Sequence, residues 1–168
     1  MINKRELTKN HTPKIPKGFS LIELLLVAAT IPVLIMIAVT AINPAKKLAE
    51  ARNIERLSNI QAIINGVYQF SIKNNGLYPT SISYENKEIC RMNIDEKTCL
   101  DANGVYLKQL TQLEFKYLAT IPYDPGGEAC NLPEDIGTCY FIKFDQNENN
   151  LVISAPHAEL GANINISY

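Results

Sequence analysis

Lys17-Gly18-Phe19-Ser20-Leu21-Ile22-Glu23 opens an apolar run that continues to Ile42 and holds one charge, Glu23. As a helix, Phe19 to Ile42 reaches about 36 Å, enough to cross a hydrocarbon core of about 30 Å with some tilt. A secretory signal has an apolar core of only about 7–15 residues and a small-residue cleavage site. This run is longer, and its best small-residue exit, Val39-Thr40-Ala41, is poor. It therefore reads as a membrane-spanning helix. A carboxylate at the centre of such a helix costs roughly 2.5–3.5 kcal/mol by insertion scales, and less near an end. A plain anchor has no reason to carry one. A helix that later meets a cationic partner does.

On the N-terminal side, residues 1–18 are polar and basic, with Lys4, Arg5, Lys9, Lys14 and Lys17 against Glu6. They read as a cytoplasmic leader. The excess of positive charge on the inner side supports that orientation, although Lys46, Lys47, Arg52 and Arg56 lie just past the other end.

The stretch Gly18-Phe19-Ser20-Leu21-Ile22-Glu23-Leu24-Leu25-Leu26 resembles the processing and assembly motif of type IV prepilins and of the pseudopilins of type II secretion. The likeness is close along the apolar run and looser through Ile42-Asn43-Pro44-Ala45 and the helix behind it. It implies that Gly18 is the last leader residue, removed by a membrane prepilin peptidase. Phe19 would become the new, N-methylated terminus. Glu23 would pair with the terminal amine of a neighbouring subunit. The implied fold is α+β: a long N-terminal helix, half transmembrane and half amphipathic, against a small antiparallel sheet. The implied partners are other copies of the chain or related pilins, the peptidase, a membrane platform protein and an assembly ATPase. The implied location is a single pass in the cytoplasmic membrane with the head outside, and then a surface filament. One departure concerns the proline common near the end of the family's apolar stretch. Thr40 stands in that neighbourhood, with Pro32 mid-run and Pro44 just beyond. Pro32 cannot donate to the carbonyl of Ala28, so a kink is expected near residues 28–32.

Elementary chemistry agrees with this assignment. A glycine before the cut lets the backbone enter a narrow protease cleft. An unpaired ammonium or carboxylate in low dielectric is expensive. Pairing the two across subunits satisfies both and sets axial register.

Four segments follow: a leader (1–18), an assembly helix (19–43), a stalk helix (44–76) and a head (77–168). Pro44 suits a first helical turn with Asn43 as N-cap. Ile54, Leu57, Ile64, Val67 and Tyr68, extended by Leu48 and Ala51, recur near the helical period and predict the buried stripe. Lys46, Glu50, Arg52 and Arg56 are expected elsewhere on the surface. Gly66, inside the helix, costs about 1 kcal/mol relative to Ala and marks either a close approach or a tolerated surface glycine. Asn74-Asn75-Gly76 is a stop signal. Phe19 to Asn75 thus reads as one nearly continuous rod.

In the head, residues 80–104 lack a sustained period and read as a long loop. Residues 105–118 read as a short helix. Pro122, Pro125, Gly126 and Gly127 force turns. Residues 139–144 and 151–155 read as a hairpin around 146–150, and 162–168 as a third strand. The head carries 6 Lys+Arg against 13 Asp+Glu, a poor match for nucleic acid. The stalk (44–76) is basic by 5 to 2.

Cys90, Cys99, Cys130 and Cys139 repeat one spacing of nine. Beyond an exporting membrane, disulfides are the default, and three connectivities are possible. Cys90–Cys99 and Cys130–Cys139 are preferred because each clamps a loop without its own core. A zinc site would need closer pairs such as C-x₂₋₄-C. His11 lies in the leader and His157 stands alone, which leaves little material for a Cys–His or Ser–His catalytic pair. No resident cofactor is expected. The competing reading is calcium near Asp124, Glu128, Glu134, Asp135 and Asp145. Secretion pseudopilins often bind calcium in the corresponding loop, and Asp124-Pro125-Gly126 is similar to its approach, but the ligand order is not recognisable.

Three functions follow. The first is a structural subunit of a type IV pilus-like filament. The second is a pseudopilin of a type II secretion or DNA-uptake system. The third is a membrane-anchored enzyme or receptor, which the small head and the missing catalytic constellation disfavour.

Overall fold

The computed structural model describes residues 18–111, 117–127, 130–145 and 150–168. It is an α+β chain with a long apolar N-terminal helix and a four-stranded antiparallel sheet, divided into two compact units, Met1–Asn43 and Pro44–Tyr168.

The first unit carries α1, Leu21–Ile42. The helix assignment runs unbroken through Pro32, and no residue of α1 is buried. The chain leaves helix at Asn43, which adopts the left-handed conformation (φ 47°, ψ 74°). Asn43 therefore closes α1 and does not open the next helix as an extended N-cap. The reason is local: Pro44 disfavours a right-handed helical conformation at the preceding residue, and asparagine tolerates the left-handed one. The segment read as one nearly continuous rod is two helices, Leu21–Ile42 and Pro44–Lys73, with Asn43 between them.

The second unit begins with α2, Pro44–Lys73. Gly76 (φ 85°) donates its N–H to the Ser71 carbonyl at 2.8 Å and terminates the helix where the stop signal stands. The buried face of α2 is Ala49, Arg56, Ile60, Ile63, Ile64, Gly66, Val67 and Ser71. Ile64 and Val67 lie on it as expected. Leu48, Ala51, Ile54, Leu57 and Tyr68 are exposed. Two apolar sets coexist on this helix, and only the position of the head selects between them. Gly66 faces Leu110, Tyr117 and Leu118, and a methyl placed there would meet Leu118 Cβ at 3.6 Å, an ordinary contact.

The sheet order is β1-β2-β3-β4, with β1 Lys87–Cys90, β2 Gly137–Asp145, β3 Asn150–Ala155 and β4 Ile164–Ser167. β2 and β3 form the expected hairpin in the register Phe141↔Ser154 to Asp145↔Asn150, and β4 pairs with β3. The tip, 146–149, lies outside the described residues. Residues 80–104 are not one long loop: they supply β1 and a short helix, α3, Glu96–Asp101, capped by Asp95. In 105–118 the described part contains one 3₁₀ turn, Lys108–Thr111, whose Leu110 is buried with Leu107; residues 112–116 lie outside the description.

The core packs Ile60, Ile63, Ile64 and Val67 of α2 against Tyr140, Ile142, Leu151 and Ile153 of the sheet, with Ile89, Val105, Leu107 and Leu110 at one side. Each such side chain contributes about 1.5–3 kcal/mol by leaving water. Cys90, Cys99 and Leu132 form a second, smaller cluster.

Candidate functional site

The start of α1 carries the residues that the sequence motif singles out. Gly18 has no heavy atom within 4 Å of where a Cβ would sit, and Phe19 is 79% exposed. Ser20 is the N-cap (φ −79°, ψ 149°), and its Oγ accepts the Glu23 backbone N–H at 3.3 Å. Ser20-Leu21-Ile22-Glu23 is thus also an S-x-x-E capping pattern, a local signal that sequence reasoning passed over. A carboxylate in the first turn also faces the positive end of the helix dipole. The cap bond uses the Glu23 backbone N–H, and what the carboxylate adds inside its own helix is this dipole interaction. Pro32 lies at the middle of the same exposed helix.

In the head, α2 is tied to two loops by an ionic network. Arg56 and Asp124 are each 2% exposed and form a two-pronged pair, Nε to Oδ2 at 2.7 Å and Nη2 to Oδ1 at 2.9 Å. Arg56 Nη1 also donates to Glu159 Oε2 (2.9 Å) and Asn53 Oδ1 (3.0 Å). Arg52 donates to both Glu159 carboxylate oxygens, at 2.7 and 2.5 Å. The Asn53 side chain exchanges two hydrogen bonds with the Glu159 backbone (2.8 and 2.9 Å). The hydrogen bond to Asp124 raises the Arg56 pKa further above its usual value. Hydrogen bonds from Arg52 and then Arg56 hold the Glu159 carboxyl at about 2. Burial pushes Tyr140 up to about 12, against a hydrogen bond from Asn59.

Arg56 was expected on the surface. It lies on the buried face because an acid 68 residues away lies against it and the short loop bond from Gly126 N–H (2.7 Å) completes the carboxylate. Buried pairs of this kind specify an arrangement more than they add stability. Of the acidic residues weighed for calcium, Asp124 is held by Arg56, Glu134 and Asp135 are exposed, and Glu128 lies outside the described residues.

The disulfides are Cys90–Cys99 and Cys130–Cys139, with Cα separations of 6.0 and 5.4 Å. This is the preferred pairing. The second is pinned by Glu88, a buried β1 residue whose carboxylate accepts the backbone N–H groups of Asn131 (2.9 Å), Leu132 (2.7 Å) and Cys139 (2.7 Å). Cys139 has a positive φ of 62° inside β2, which turns its N–H toward that carboxylate. His157, isolated in sequence, lies with Nε2 3.3 Å from Cys130 Sγ. No spacing rule could have found that contact, because 27 residues separate the two. Comparison of the chain with protein-family models, curated proteins and solved structures returns no match.

Proposed function

We propose that the protein is a structural subunit of a type IV pilus-like filament, cleaved after Gly18 and assembled through α1. The observation that carries this reading is α1 itself: 22 residues, apolar on every side, none of them buried, with one acid in the first turn. By length and composition it can cross a membrane. Once outside lipid, a helix with no covering surface of its own is stabilised by burial against copies of itself. In that assembly Glu23 meets the freed amine of Phe19 on a neighbour. The head, stapled by two disulfides, is suited to an oxidising exterior. A pseudopilin of a secretion or DNA-uptake machine is the same device with a shorter fibre.

One competing reading takes Glu23 as serving only the helix start of a simple anchor, where a carboxylate faces the positive end of the dipole. Glu23→Gln separates the two. Glutamine also fits the third position of a capping box, so the helix start is kept while the charge is lost. The filament reading expects cleavage to leave Phe19 as the N-terminus, by mass spectrometry of surface material, and fibre incorporation to fall sharply in Glu23→Gln. Normal incorporation of that variant, or a native chain retaining residues 1–18, overturns it.

A further inference from the structure

The two disulfides share a loop length but not a chemistry. Cys90 and Cys99 are 2% and 0% exposed, enclosed with Leu132. Cys130 is only half-buried, at the edge of an open cleft of about 300 Å³ lined by Asn86, Asn131, Phe141, Ser154, Pro156 and His157. The His157 ring touches both sulfurs of this bond: Nε2 is 3.3 Å from Cys130 Sγ, and Nδ1 is 3.9 Å from Cys139 Sγ. The imidazole is held from the β3 exit, while Glu88 holds the two cysteine-bearing segments from the other strand. Among the described residues that share a cleft with the ring, Arg52, Arg56 and Glu159 carry charge on one side, and Asn86, Asn131 and Ser154 are neutral polar groups on the other.

From this arrangement we propose that Cys130–Cys139, with His157, is a thiol–disulfide exchange site that accepts an external thiol at Cys130, whereas Cys90–Cys99 is inert. Exchange rates depend on which sulfur is reachable and on how well the leaving thiolate is stabilised. An incoming thiolate attacks Cys130 Sγ, the accessible sulfur. A bond forms between the two, the Cys130–Cys139 bond breaks, and its electron pair leaves on Cys139 Sγ. The protonated imidazole transfers its proton to that thiolate. A second external thiolate then attacks the incoming sulfur of the mixed disulfide and releases Cys130 as a thiolate. Two thiols are oxidised to one disulfide as the protein bond is reduced by two electrons. In the reverse direction the neutral imidazole takes the Cys139 proton and regenerates the nucleophile. The chemical class of partner is a thiol or dithiol. The proposal is independent of the filament reading, since every residue in it belongs to the head.

The test uses the oxidised full-length chain in detergent, reduced glutathione as the probe, quenching by alkylation, and peptide mapping of both bonds over time. Cys130–Cys139 should open at least about tenfold faster than Cys90–Cys99, with the glutathione adduct on Cys130. His157→Gln should slow that opening at least about fivefold and leave the Cys90–Cys99 rate unchanged. Equal rates for the two bonds in the wild type overturn the proposal. So does an adduct mapped to Cys139, or an opening rate untouched by His157→Gln. Acceleration of both bonds in the variant also overturns it, because His157 would then be holding the head together and not serving the exchange.

Discussion

Cys90–Cys99 and Cys130–Cys139 each close a loop of the same length, and chain entropy predicts the same stabilisation for both, about 3 kcal/mol. Their surroundings differ completely. The first is a core element: Gly104 approaches so closely that a Cβ there would run into Cys90 Sγ, with Leu132 3.0 Å away. The second is a surface clamp, held by a buried carboxylate on one side and touched by an imidazole on the other. Identical spacing in sequence says nothing about whether a bond is packing or chemistry. Burial and neighbours decide that.

The harshest way to break the comparison is Glu88→Ala. Three backbone N–H groups lose a buried ionic acceptor, so the cost should exceed about 3 kcal/mol in denaturant unfolding. The Cys130–Cys139 segment should gain fast amide exchange while α3 keeps its protection. Arg56→Met is of similar size, about 3–5 kcal/mol, because it leaves Asp124 buried without its partner; pairing Arg56→Met with Asp124→Leu should recover much of the loss. Removing the disulfides in turn sharpens the contrast. Cys90→Ala with Cys99→Ala should cost about 1–2 kcal/mol more than Cys130→Ala with Cys139→Ala, because the first pair also leaves a hole in a packed cluster. Gly104→Ala should destabilise by about 1–3 kcal/mol through overpacking against Cys90–Cys99, without altering alkylation of Cys130 and Cys139 after mild reduction.

The smallest effect concerns acid. Glu159 has its folded pKa depressed from 4.5 to about 2. Its contribution is fully present above the unfolded value and is lost as pH falls from about 4.5 through about 2. Unfolding midpoints measured across that window should fall for the wild type and flatten for Glu159→Gln. As Glu159 shares a pocket with His157, acid should loosen the side of the head that bears Cys130–Cys139 first.

Sequence by itself determined whatever is written within a single element. The apolar run predicts α1, Asn74-Asn75-Gly76 stops α2, and the patterns of 139–144, 151–155 and 162–168 mark three strands, the last of which forms over Ile164–Ser167, because a helix or strand period needs no partner to be visible. Residues 80–104 were illegible because β1 is only four residues long and exists by pairing with β2, more than forty positions away. The capping pattern at Ser20 was legible in the sequence, since Ser20 and Glu23 stand at the S-x-x-E spacing. Only the tertiary structure decided which face of α2 is the inside. Two apolar stripes competed, and the choice fell to the one carrying Arg56, where Asp124 and Glu159 converge from distant loops. The same folding brought a solitary histidine against one of two equally spaced disulfides. Contacts between residues far apart in the chain follow from loop closure and burial of the whole head, and no local periodicity encodes them.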